Sequence, residues 1–170
     1  MKFDSLKTPC YVIDEGKLKE TLQILSDVQK VAGCKILLAQ KAFSSFCTYP
    51  LIGKYISGTT ASGLFEARLG REEMNKENHV FSPAYKDDEF DEIAALCDHI
   101  VFNSFSQLDK YKARCKGKSI GIRINPECST QSDHAIYDPC AKGSRLGVIA
   151  ENFDEQLFEF VDGIHFHTLC

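Results

Sequence analysis

Seven short apolar runs, separated by segments with helical periodicity, constrain this chain more than any other feature. They are YVID (11–14), KILLAQ (35–40), YISGTTAS (55–62), HVFSP (79–83), HIVFNS (99–104), SIGIRINP (119–126) and GIHFHTL (163–169). From the second run to the sixth, starts recur every 20–24 residues. That is the rhythm of strand–helix units in a parallel sheet. Between the runs, Leu18, Leu22, Leu25 and Val28 recur at helical spacing, as do Phe90, Ile93, Ala94 and Cys97. Ser104 and Gln107 have capping-box spacing and predict a helix opening directly after a strand. One longer insertion, 127–150, reads as a functional loop.

Strands buried on both faces normally read as continuous apolar runs. Here several runs alternate. Ile120, Ile122 and Ile124 share one face and Gly121, Arg123 and Asn125 the other; Ile164 and Phe166 oppose His165 and His167. Ile100 and Phe102 oppose Val101 and Asn103, while Leu37, Ala39 and Lys41 share a face. In a (β/α)8 barrel one strand face meets the helices, the other fills the barrel, and chemistry sits at the strand C-termini. The pattern predicts that Lys41, Arg123, Asn125, His165 and His167 meet in one pocket. A doubly wound open sheet is the rival, although no G-x-G-x-x-G follows any strand.

With 170 residues, 44% hydrophobic and 26% charged, the chain can bury a real core. A formal net charge of −4 without a basic cluster gives no footprint for nucleic acid. The N-terminus lacks a secretory pattern and the apolar runs are strand-sized, so no membrane span is expected and the cytoplasm is the default location. The eight cysteines include no C-x-x-C pair, so reduced thiols are expected, most of them small core residues.

Each candidate residue has a sharp and a plain reading. Lys41 is either a desolvated amine able to form a Schiff base or a strand-end lysine with a solvated head. His165 and His167, on one strand face, suit a metal, a flat cofactor with a hydrogen-bond network, or a core pair. With Cys170 they spell H-x-H-x-x-C. Arg123, with Asn125, calls for an anionic partner, either a ligand oxygen or an internal carboxylate. Thr59, Thr60, Ser62 and Gly63 either present hydroxyls to an anion or cap a helix. Gly143, Ser144 and Arg145 read as a turn followed by a strand-edge arginine.

Taken in order, TPCYVID, LLAQKAF, TTASGLFEARLG, GIRINPE, KGSRLG and GIHFHTLC resemble the alanine-racemase-like (fold type III) pyridoxal-phosphate decarboxylases. Within that class, AQKAF and HFHTLC resemble the carboxynorspermidine (carboxyspermidine) decarboxylase family. Diaminopimelate and ornithine decarboxylases are similar in layout but differ after the lysine and in place of Thr168 and Leu169. The resemblance implies pyridoxal 5'-phosphate as cofactor, Lys41 as its covalent attachment and catalytic residue, His167 stacked on its ring and Arg123 nearby. Arg145 falls where relatives carry a basic barrel-wall residue. No metal ligand is assigned. A polyamine-carboxylate substrate, a homodimer, and no nucleic-acid or membrane partner are implied.

The resemblance also implies a longer protein. Six barrel strands follow the YVID strand, where a closed barrel has eight. The expectation is therefore an α/β fold, a partial (β/α)8 TIM-type barrel over 16–170, with 1–15 carrying a strand that joins an absent C-terminal β domain. Such a fragment is expected to be inactive alone. Three rivals stand beside it. One is a single-domain barrel concerned with pyridoxal-phosphate homeostasis. Another is a metal-dependent hydrolase using His165, His167 and Cys170. The third is a non-catalytic interaction fragment.

Overall fold

The computed structural model describes residues 6–130 and 137–168. The first helix, α1 (Glu15–Ala32), starts where Asp14 accepts hydrogen bonds from the backbone N–H groups of Gly16 and Lys17, at 2.9 and 3.2 Å. It stops at Gly33, whose φ of +63° is the left-handed conformation a helix C-cap requires. Leu18, Leu22 and Leu25 face inward as the spacing predicts, whereas Val28 is exposed.

Six strands follow: β1 (Leu37–Ala39), β2 (Gly58–Ala61), β3 (Glu77–Phe81), β4 (His99–Phe102), β5 (Ser119–Arg123) and β6 (Gly163–His165). All pair in parallel, each with its successor in the chain. A doubly wound sheet would reverse strand order at a switch point. Strictly sequential order is that of a (β/α) barrel, here with β1 and β6 as its two edges among the described residues.

The connections carry α2 (Tyr49–Ile52), α3 (Leu64–Leu69), α4 (Asp87–Leu96), α5 (Phe105–Tyr111) and α6 (Glu155–Phe158). One side of each central strand packs against them. Val80, Ile100, Phe102, Ile120 and Ile122 join Ala67, Phe90, Ile93, Leu108 and Tyr111 in one core. Phe90 and Tyr111 stack at 4.1 Å, with Phe102 and Tyr85 around them. Burial of each such side chain contributes roughly 1.5–3 kcal/mol. A second cluster, Leu22, Tyr49, Ile52, Ile56 and Met74, holds α1 and α2 on β1.

Polar groups fix the layers. Asn78 donates to the carbonyls of Ala67 and Leu96 and accepts from the Thr59 hydroxyl at 3.0 Å, tying α3 and α4 to the sheet. A Cβ on Gly70 would stand 2.4 Å from Thr59 Oγ1, so this close approach needs glycine. Ser104 accepts from the N–H of Gln107 as expected, and Gln107 accepts in return from the N–H of Asn103, one residue before the cap.

Several strand limits differ from the sequence reading. The first two strands start later than their apolar runs. Gln29 of α1 accepts from the Ile36 N–H and the Ser57 hydroxyl and donates to the Tyr55 carbonyl, engaging those segments before the strands begin. β3 starts two residues earlier, at Glu77. Residues 11–14 pair with no strand among the described residues, and Tyr11 is fully exposed. Of the seven described cysteines, Cys97, Cys115 and Cys140 are buried and four are exposed, so most are not core residues. Cys170 lies outside the described residues, as does 131–136 of the long insertion.

Candidate active site

The strand faces turned away from the helices line a cavity of about 620 Å³. Leu37, Ala39 and Lys41 share its wall, as the alternation predicts, with Arg123, His165 and His167 opposite. Lys41 stands in the turn after β1, where the N–H groups of Ala42 and Phe43 return to the Ala39 carbonyl. The lysine is exposed at the rim, which matches the strand-end lysine with a solvated head rather than a desolvated amine. Only Leu37 and Ala39 lie on its own strand face within the cavity wall.

Arg123 ends β5 and is 4% exposed. Its backbone carbonyl accepts from the Val148 N–H, but among the described residues its guanidinium makes no ion pair or hydrogen bond and lies 4.8 Å from the centre of the Phe81 ring. Burial pulls its pKa below the usual arginine value. His165 pairs with Arg123 across the sheet and packs edge-on against Phe81 at 5.0 Å. Its Nδ1 is buried without a hydrogen-bond partner among the described residues. Burial first, then the charges of Arg123, His167 and Lys41, bring its pKa down to about 4. Burial and the same arginine and lysine also lower that of His167. Both rings are therefore neutral at neutral pH.

Asn125 does not join the cavity. The chain past β5 bridges Ile124 to Val148, and the Asn125 side chain turns to accept from the N–H of Glu127 at 2.9 Å. Arg145 is exposed and absent from the cavity wall; its carbonyl accepts from Asn103. In the TTASG segment, Thr60 and Ser62 reach the cavity, but Thr59 is spent on Asn78 and the Ser62 N–H donates to Glu66. No side chain caps α3 at Gly63, so the helix-cap reading of these hydroxyls is not what forms. His165 and His167 gain no third metal-binding side chain among the described residues. The His, Cys, Asp or Glu group that does converge there is Glu77, His79 and His99, at the other end of the cavity. It was legible as an E-x-H strand start followed by a histidine at the next strand's start.

No family model matches the chain. Over its whole length it is 41% identical to a carboxynorspermidine/carboxyspermidine decarboxylase of Campylobacter jejuni. The chain resembles that decarboxylase family from end to end. A carboxyaminopropylagmatine decarboxylase of Synechocystis is 40% identical over 99% of the chain. The chain spans about 44% of the length of both relatives. Among solved structures, carboxynorspermidine decarboxylase of C. jejuni, complexed with norspermidine, superposes with a TM-score of 0.88 at 39% identity. That match covers 97% of this chain and 42% of the other. Diaminopimelate decarboxylase of M. jannaschi gives 0.72 at 18% identity, covering 98% of this chain and 43% of its own, a likeness of fold. The partial barrel is thus the barrel type of these decarboxylases.

Proposed function

We propose that this chain supplies the lysine-bearing part of a pyridoxal-5'-phosphate-dependent carboxy-lyase that converts carboxynorspermidine or carboxyspermidine to norspermidine or spermidine. One observation carries the reading: Lys41, Arg123 and His167 line a single cavity above parallel strands in a fold shared with such decarboxylases. The residues suit the cofactor. Among the described residues Arg123 is a buried cation without a carboxylate partner and His165 has an unpartnered buried nitrogen, both on a cavity wall. A flat, anionic, hydrogen-bonding group meets both needs.

Lys41 would hold the cofactor covalently through its amine, the neutral ring of His167 would lie against it, and Arg123 would face its negative charge. The cofactor, when bound, supplies the electron sink for cleavage of the bond between Cα and the carboxylate. The chain's own contribution is orientation and exclusion of water, with Phe81 and the two imidazoles forming the low-polarity wall. Carboxyaminopropylagmatine is the second substrate reading, supported by the name of the 40% identical relative. We place the working protein in the cytoplasm as a homodimer, with residues 11–14 pairing into a further β domain.

Borohydride reduction of the full gene product with pyridoxal phosphate, followed by peptide mapping, tests the cofactor assignment. Label is expected on Lys41; label elsewhere, or none, overturns it. Turnover of the three carboxylated substrates then ranks the substrate readings. Residues 1–170 alone are expected to show no turnover, because the sheet is open between β1 and β6 among the described residues and the chain spans about 44% of its relative's length; measurable carbon dioxide release by them would contradict this.

A further inference from the structure

Three donor atoms converge inside the barrel at the N-terminal ends of β3 and β4, away from Lys41. Glu77 opens β3, His79 follows two residues later on the same face, and His99 pairs with His79 in register across β4. Oε1 of Glu77 lies 2.7 Å from His79 Nε2 and 3.0 Å from His99 Nε2. The two rings lie face to face with centroids 4.0 Å apart. The other carboxylate oxygen, Oε2, is 2.5 Å from the Lys35 ammonium.

We propose that Glu77, His79 and His99 form a binding site for a divalent transition-metal ion of the zinc class, fastening β3 to β4 from inside the barrel. The inference is independent of the decarboxylase reading. Two imidazoles and one carboxylate are a zinc-type donor set, and a fourth position remains for water. Tetrahedral ligation at about 2.0–2.2 Å would set the donors roughly 3.3–3.5 Å apart. Glu77 Oε1 lies 2.7 and 3.0 Å from the two nitrogens and all three donors lie within 4.8 Å of one another, so an ion asks for a spread of roughly 0.3–0.8 Å about that oxygen and a turn of each ring. All three side chains are half-buried, and both histidines border the open cavity, which gives room for that turn. Both Nε2 atoms now meet Glu77 Oε1, and an ion between the three donors takes the place of those two hydrogen bonds, each neutral ring then carrying its proton on Nδ1. Lys35 orients the carboxylate from outside, and its largely exposed side chain is free to withdraw as positive charge enters.

The test is a titration of the purified chain with Co2+, a spectroscopic stand-in for Zn2+. One ion per chain is expected, with visible d–d bands and no thiolate charge-transfer band, which separates this site from the eight cysteines. His79→Gln and His99→Gln should each weaken binding by about tenfold or more, and His167→Gln should leave it unchanged. Should a variant fail to fold, Zn2+ protection of His79 and His99 from diethylpyrocarbonate, mapped on the unmodified chain, gives the same answer. No binding at millimolar metal, a thiolate band, unchanged affinity in folded variants, or unprotected histidines would each overturn the proposal.

Discussion

Among the described residues, Arg123 carries its charge in a place that offers a ring and no carboxylate. Removing an ion from water costs several kcal/mol unless a partner compensates, and cation–π contact with Phe81 returns only about 0.5–2 kcal/mol of that. The fold therefore holds this cation at a loss. Replacing it with a neutral side chain of similar length should move stability and ligand affinity in opposite directions. Arg123→Met is expected to raise the unfolding free energy by about 1 kcal/mol, measured in urea, while weakening pyridoxal-phosphate binding by about tenfold or more. Loss of both together would mean that Arg123 is a structural group. His165 poses the matching question in pH. Its folded pKa of about 4 lies below the ordinary imidazole value near 6.5, so the unfolded chain binds the proton more readily. Stability from this residue is complete above about pH 6.5 and drains away as pH falls toward 4. His165→Gln should flatten that part of the urea-midpoint profile, by about 1–2 kcal/mol between pH 7.5 and 4.5 after discounting for solvent exposure. Identical acid limbs in the two proteins would rule it out.

At the scale of elements, the parallel sheet was legible because each repeat writes two signals at once. Ile100 and Phe102, or Ile120 and Ile122, mark the helix-facing side, and the alternate residues mark the barrel side. That second signal correctly gathered Lys41, Arg123, His165 and His167. It failed at Asn125, because alternation holds only while the strand continues, and the bridge to Val148 ends that regularity at Ile124. Strand starts were misread for a related reason. Ile36 and Tyr55 look like strand residues, yet their backbone groups are bonded by Gln29, a side chain on another element that periodicity does not register. Glu77 precedes the HVFSP run, so the apolar pattern does not register it; it meets His79 on its own strand and His99 on the next once β3 and β4 pair.

At the scale of the whole molecule, the sheet is wound in sequence order but does not close on itself among the described residues. Among the described residues β1 and β6 each have a strand on one side only, which leaves one edge of each without a strand partner. On β6 and just after it, Ile164 is 60% and Phe166 66% exposed, which adds apolar surface to that edge. In a closed barrel such residues lie against the next strand and its helix, burying roughly 1.5–3 kcal/mol each. Left bare, they should be met by the same groups of a second copy. The 170-residue chain is therefore expected to associate with rising concentration, seen by light scattering coupled to size exclusion. Ile164→Lys should shift it toward monomer, because a buried ammonium in an edge-to-edge contact has no partner. The same charge at exposed Val31 on the outer face of α1 should leave association unchanged. A chain that stays monomeric at high concentration, or that responds equally to both substitutions, would show that the open edge is not what drives assembly.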